Sequence, residues 1–180
     1  EIFALLGASG CGKSTLLRRL QLDDANQRMA DESDRVSLFV SLGAYPLDKD
    51  AAKDAPRPLD WLEAQWHRQA PGLPDLEALL GERRVLLLLD ALNEMPHRNA
   101  DDFRERVEQW RRFLRDDFPP GNRAVFSCRS LDYSETLSVK DDLDVRQVRV
   151  QPMTPPQIEE FLRLYAADHA DGAWAEIRND

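Results

Sequence analysis

Gly7-Ala8-Ser9-Gly10-Cys11-Gly12-Lys13-Ser14-Thr15 constrains this chain more than any other stretch. The spacing is G-x-x-x-x-G-K-[ST], placed directly between the apolar run Ile2-Phe3-Ala4-Leu5-Leu6 and the helix-forming run Leu16-Leu17-Arg18-Arg19-Leu20. Such a loop works only as the turn from a strand into a helix. Its backbone N–H groups must converge on one point, with the positive end of a helix dipole behind them. Gly7, Gly10 and Gly12 let the backbone close into that concavity. The ligand that fits is the phosphate chain of a nucleoside triphosphate, cradled by residues 7–15. Lys13 is expected at the β- and γ-phosphates, and the Ser14 hydroxyl on Mg²⁺.

A strand–loop–helix opening predicts an α/β fold, and the rest of the chain has the matching rhythm. Apolar segments at 2–6, 36–42, 84–90, 124–128 and 145–150 alternate with helical ones, the pattern of a five-stranded parallel sheet covered on both faces. Helices are expected after the loop, at 59–69, 76–81 and 100–118. In the last of these Phe103, Val107, Trp110, Leu114 and Phe118 form one apolar stripe. Leu59, Leu62 and Trp66 do the same earlier. Trp61, Trp66 and Trp110 read as packing residues rather than a base-stacking platform. The polar, proline-containing stretch 43–58 reads as a surface loop, and Pro119-Pro120-Gly121 stops the long helix. Pro152-Met153-Thr154-Pro155-Pro156 marks a boundary, with Thr154 placed to cap a helix carrying Ile158, Phe161, Leu162 and Tyr165. The last ten residues read as the start of another helix. The expected organisation is an α/β three-layer core over 1–151, then the beginning of a small helical subdomain over 152–180.

The net charge of −9 argues against a general nucleic-acid-binding surface, which needs clustered Lys and Arg. Arg104, Arg106, Arg111, Arg112 and Arg115 alternate with Asp101, Asp102, Glu105 and Glu108, the pattern of a solvated helix face with internal ion pairs. No apolar run approaches the roughly 20 residues of a bilayer span. Two cysteines, Cys11 and Cys128, offer neither a disulfide framework nor zinc spacing, so a reducing cytoplasm is the default setting. With no initiator Met, the chain opens abruptly on a strand and reads as a piece of a longer protein.

Arg84-Val85-Leu86-Leu87-Leu88-Leu89-Asp90 is an apolar strand ending in a carboxylate. A charge there is costly without a partner, and at the carboxyl edge of a parallel sheet that partner is usually ligand chemistry. Asp90 is therefore the candidate to hold Mg²⁺ with Ser14, directly or through water. Glu94, four residues on, is placed as a general base or water-positioning acid. Asn93 could position water but cannot accept a proton. Arg129 ends the fourth strand; if that strand lies beside the first, its guanidinium emerges next to the phosphates and can sense or neutralise γ-phosphate charge.

The loop wording by itself looks like that of an ABC transporter ATPase, but no Leu-Ser-Gly-Gly-Gln-like signature precedes the Asp90 strand, and Asp90 is followed by Ala91 rather than Glu. The whole chain instead resembles a NACHT domain of the STAND class of P-loop NTPases. The resemblance is carried by the loop, by Leu86-Leu87-Leu88-Leu89-Asp90-Ala91-Leu92-Asn93-Glu94, by Asn122-Arg123-Ala124-Val125-Phe126-Ser127-Cys128-Arg129, and by Val148-Arg149-Val150-Gln151-Pro152-Met153 with Ile158-Glu159-Glu160-Phe161-Leu162. It implies an ATP/ADP-binding, Mg²⁺-dependent switch, slow in hydrolysis and oligomerising when ATP-bound, set between effector and sensor domains. It also implies that the Arg129 strand lies between the first strand and the Asp90 strand. Where the family often carries an acidic pair, this chain has Asn93-Glu94, which implies slower turnover. The alternatives are a turnover motor ATPase of AAA+-like or ABC-like type, and a platform that binds nucleotide without hydrolysing it.

Overall fold

The computed structural model describes residues 1–31, 33–47, 56–133, 137 and 143–165. Two compact units are present, Glu1–Val150 and Gln151–Asp180. The first holds the strands β1 (Ile2–Gly7), β2 (Val36–Ser41), β3 (Val85–Asp90), β4 (Arg123–Arg129) and β5 (Val145–Arg149). All pairings are parallel, in the order β2-β3-β4-β1-β5. The same unit carries α1 (Lys13–Ala30), α2 (Pro58–Gln69), α3 (Leu76–Gly81) and α4 (Ala100–Arg112).

Side-chain alternation along the strands splits the sheet into two apolar faces. All six residues of β3 are buried. Leu87 and Leu89 join the larger core, with Trp61, Trp66, Leu76 and Trp110 from α2, α3 and α4. Leu86 and Leu88 face the other way, onto Leu17 of α1. The layers are helix, sheet, helix, as expected. Trp110 anchors the larger core, with Tyr45, Trp61, Phe113 and Phe126 around it at ring separations of 5.6, 6.1, 5.7 and 5.9 Å. Edge-on aromatic pairs of this kind add stability beyond their buried area.

Four expectations need correction. The helix expected over 100–118 ends at Arg112 and passes into a π-helical turn, Phe113–Asp117. The wider turn puts both Phe113 and Leu114 into the core, where a simple stripe would bury one. Arg106 is not on a solvated face. Its side chain is 5% exposed and bonds Asp102 Oδ1 at 3.3 Å, while Nη1 donates to the Pro46 carbonyl at 3.1 Å. That contact ties down the segment expected to be a plain surface loop. There Leu42–Ala44 forms a 3-10 turn and Tyr45 is fully buried, its hydroxyl donating to the Pro56 carbonyl. Burial pushes the Tyr45 phenol up to about 12 against the opposing effect of Arg106. Finally, β5, expected in a sheet covered on both faces, is largely exposed: at the sheet edge beside β1 only Val145 of its residues is buried, and Val148 is 48% exposed.

Asn99 caps α4 by accepting from the Asp102 N–H at 2.9 Å. Asp102 Oδ2 accepts from the Arg98 N–H at 2.7 Å. Burial acts to raise the Asp102 carboxyl, but the Arg98 N–H and the Arg106 guanidinium outweigh it and hold the group below its ordinary range. Stability from a depressed carboxylate is present above its unfolded value near ~4 and lost as pH falls through the folded value. Thermal melts should show Asp102→Asn less stable than wild type at pH 7 by about 1 kcal/mol. The gap should close as pH falls through the depressed folded value; a gap independent of pH would refute the ion-pair account.

In the second unit, α5 (Pro155–Tyr165) starts where expected. The Gln157 side-chain oxygen accepts from the Thr154 N–H at 2.8 Å and from its hydroxyl at 3.0 Å, half of a capping box. The helix expected over the last ten residues lies outside the described residues. No helix among the described residues is long and apolar enough to cross a membrane.

Candidate functional site

The loop between β1 and α1 is built by backbone geometry before any ligand is considered. Gly10 and Gly12 adopt φ of 75° and 89°, a region costly for residues with a Cβ. Gly7 is required for a different reason: a Cβ there would lie 2.5 Å from Cys11 Sγ and 3.3 Å from Val150 Cβ. Gly12 caps α1 in left-handed conformation without any side-chain cap bond, and no acid occupies the first turn. The first N–H groups of an 18-residue helix are thus left for an anion.

Lys13 sits at the start of that helix. Its ammonium donates to the Gly7 carbonyl at 3.1 Å and the Ala8 carbonyl at 2.7 Å, and lies 3.8 Å from Cys11 Sγ. The two carbonyl bonds and the weaker Cys11 Sγ contact hold the ammonium over the loop, where an incoming phosphate oxygen can replace the weak sulfur partner. A pocket of about 290 Å³ opens here. Ser9, Gly10, Gly12, Lys13, Ser14 and Thr15 line one side of it. Gly7, Ala8 and Cys11 stand behind, holding the loop and the lysine.

The opposite wall comes from the ends of β3 and β4, and contains Asp90, Ala91, Asn93, Glu94, Ser127 and Arg129. Parallel pairing explains the convergence: β4 lies beside β1 in a register that matches Gly7 with Arg129, and beside β3 with Leu89 matched to Phe126. The strand order expected from the resemblance is therefore the observed one. Asp90 is 8% exposed and accepts a hydrogen bond from the Ser127 hydroxyl. Ala91 has φ 61° and ψ 56°, a left-handed conformation that costs about 1–2 kcal/mol without glycine. It swings the chain into the 3-10 turn Leu92–Glu94. Strain of this kind persists where surrounding bonds hold it, and it places Glu94 back over the pocket.

Arg129 Nη2 lies 3.5 Å from Glu94 Oε1, with the two side chains 46% and 55% exposed. The Arg129 N–H donates to Asn93 Oδ1 at 3.1 Å. Lys13, Ser14, Asp90, Glu94 and Arg129, singled out from the sequence, thus face one cavity. Sequence reasoning missed Ser127, and it did not foresee the bond that Asn93 makes to β4. Asn93 bonds the backbone of Arg129, which ties the acidic turn to β4. A small polar residue inside an otherwise buried strand was the available signal for Ser127. Cys11 and Cys128 are free thiols. Burial, with Asp132 adding to it, pushes the Cys128 thiol up to about 11, which leaves it protonated at neutral pH.

The donor set fits a nucleotide phosphate with Mg²⁺. A helix start without a side-chain cap bond, an ammonium and left-handed glycines supply cationic and N–H donors. The Ser14 hydroxyl and Asp90 carboxylate, both on the pocket wall, are hard oxygen donors of the kind that Mg²⁺ takes.

The fold has clear relatives among solved structures. The ORC1 protein of Aeropyrum pernix, solved in complex with DNA, superposes with a TM-score of 0.58 at 14% identity over 93% of this chain and 44% of its own. CDC6P of Pyrobaculum aerophilum gives 0.52 at 18% identity, covering 94% and 43%. The ORC2 protein of Aeropyrum pernix, in ADPNP–ADP complexes, gives 0.52 at 15% identity, covering 92% and 46%. The chain thus spans less than half the length of these solved chains. At such identities the likeness establishes the fold. No curated protein matches the chain. The family profile described as NACHT domain, however, matches residues 1–169. By that match, which takes in the phosphate loop, the acidic turn and the Arg129 strand together, the chain belongs to the NACHT family of P-loop NTPases and is a nucleotide-binding core.

Proposed function

We propose that this core is an ATP/ADP switch of a multidomain signalling or defence protein, with slow Mg²⁺-dependent hydrolysis resetting it. The observation that carries the reading is the Arg129–Glu94 pair at 3.5 Å on the pocket rim. The acid best placed to activate water is engaged by the cation best placed to meet a γ-phosphate. Half-exposed ion pairs are worth about 0–1 kcal/mol, so an incoming phosphate can draw Arg129 away and release Glu94. Occupancy by a triphosphate is thereby coupled to the acidic turn, while hydrolysis waits on that rearrangement. A motor built for turnover gains nothing from a base held by its own sensor.

In this reading the loop N–H groups from Ser9 to Thr15 bind the phosphates and Lys13 reaches the β- and γ-oxygens. Ser14 and Asp90 hold Mg²⁺, which when bound neutralises charge on those oxygens. Glu94 orients and deprotonates the attacking water, and Arg129 senses the γ-phosphate. The ATP-bound state exposes surfaces for homo-oligomerisation, and effector and sensor domains lie elsewhere in the protein, in the cytoplasm. Direct nucleic-acid contact is not part of the proposal, because net charge is −9 and the α4 arginines are already ion-paired. The domain division proposed is a nucleotide-binding core over 1–151 and a helical subdomain beginning at 152.

The test is nucleotide content and turnover of the purified full-length protein. A switch should carry co-purified ADP and turn over far below the typical enzyme rate of ~10 s⁻¹. Turnover at that rate from nucleotide-free protein would favour the motor, and tight binding with no turnover the platform.

A further inference from the structure

Ser127 is buried, 1% exposed, at the carboxyl end of β4. Its hydroxyl oxygen accepts from the Ala91 N–H at 2.8 Å, and its proton is donated to Asp90 Oδ1. These two bonds determine each other. A serine hydroxyl has one proton, and once a lone pair is turned toward the Ala91 N–H the proton is directed at the carboxylate. With Oδ1 committed, Oδ2 is the oxygen left for the pocket that Asp90 and Ser14 both line.

The same hydroxyl holds the residue whose left-handed backbone turns the chain from Asp90 toward Glu94. The Glu94 N–H closes that turn onto the Ala91 carbonyl at 2.9 Å. Two residues further along β4, the Arg129 N–H grips Asn93 Oδ1 at 3.1 Å. Strand β4 therefore clamps the acidic turn at two points, and Ser127 is the point that touches the metal-binding carboxylate.

We propose that Ser127 is a positioning residue: it orients Asp90 for Mg²⁺ and, through the Ala91 N–H, sets the turn that carries Glu94. This rests on the nucleotide-switch reading for the identity of the metal. Partners behind a metal ligand are worth about 10–100-fold in metal affinity, and Ser127 should act at that level rather than on the phosphates.

The experiment is a titration of a fluorescent ATP analogue against the full-length protein, in EDTA and across Mg²⁺ concentrations, with Mn²⁺ binding followed by electron paramagnetic resonance. In Ser127→Ala, affinity in EDTA should stay within about twofold of wild type, since the loop and Lys13 are untouched. The Mg²⁺ concentration for half-maximal effect, and the Mn²⁺ dissociation constant, should rise about 10-fold or more. Ser127→Thr keeps the hydroxyl and should recover most of that loss. Unchanged metal dependence in Ser127→Ala overturns the proposal. So does a loss of binding equal in EDTA and Mg²⁺, or an unfolded Ser127→Ala beside a folded Ser127→Thr with wild-type-like binding but no Mn²⁺ site, since both make Ser127 a support of the fold alone. If wild type itself binds no nucleotide, the switch reading falls first and this inference with it.

Discussion

Lys13→Ala should lower affinity for ATP and ADP by about 100-fold or more, measured by calorimetry or by a fluorescent analogue. The estimate follows from the bonds at stake. A hydrogen bond to a charged group is worth about 1.5–3 kcal/mol, and an ammonium bridging two phosphates makes at least two, so a loss near ~3 kcal/mol is expected. The effect is on the ligand, not the fold: Lys13 bonds the Gly7 carbonyl at 3.1 Å, the Ala8 carbonyl at 2.7 Å and, weakly, Cys11 Sγ at 3.8 Å, all within the loop itself. The trimmed protein should therefore keep its circular dichroism spectrum and melt within a few degrees of wild type. Undiminished ATP affinity in a folded Lys13→Ala protein would sink the assignment of this loop as the phosphate grip.

Glu94→Gln should leave nucleotide affinity close to wild type while slowing hydrolysis by about 100-fold or more, the range associated with losing a general base. The amide can still hold water but cannot accept its proton. It also gives up the charge that pairs with Arg129 at 3.5 Å, so Arg129 is freer to engage the γ-phosphate. Any ATP-bound oligomer should consequently last longer, visible as a persistent larger species in size-exclusion runs with ATP. Single-turnover hydrolysis at the wild-type rate would show that Glu94 is not the base.

Much of this was readable from residue order because the relevant interactions are local. The loop needs only the glycines, Lys13 and the flanking strand and helix, all within the first 30 residues. The burial of β3 at every position follows from its unbroken apolar run. Failures came where distant segments met. Arg106 looked like one more charge on a solvated helix, yet the Pro46 carbonyl and the Tyr45 ring, 60 positions away for the former, draw it inward. Edge strand β5 looked apolar, but nothing in its residues announces that one side of it pairs with no strand among the described residues. The π-helical turn at Phe113–Asp117 arises from packing of two adjacent core residues, a demand that a regular helical period cannot express.

The site divides in the same way. Residue order alone determined the phosphate grip, because a nest of N–H groups at a helix start is made by consecutive residues with fixed backbone preferences. It also named Asp90, Glu94 and Arg129 as candidates, each at the polar end of an apolar run. What only the tertiary structure decided is how those three relate. Parallel pairing of β4 between β1 and β3 brings Arg129 level with Gly7, and places it against Glu94. The same pairing puts the Ser127 hydroxyl between Asp90 and the Ala91 N–H, 36 or more positions away along the chain. Contacts across strands depend on sheet order and register, which are set by the packing of the entire core and are written in no single segment.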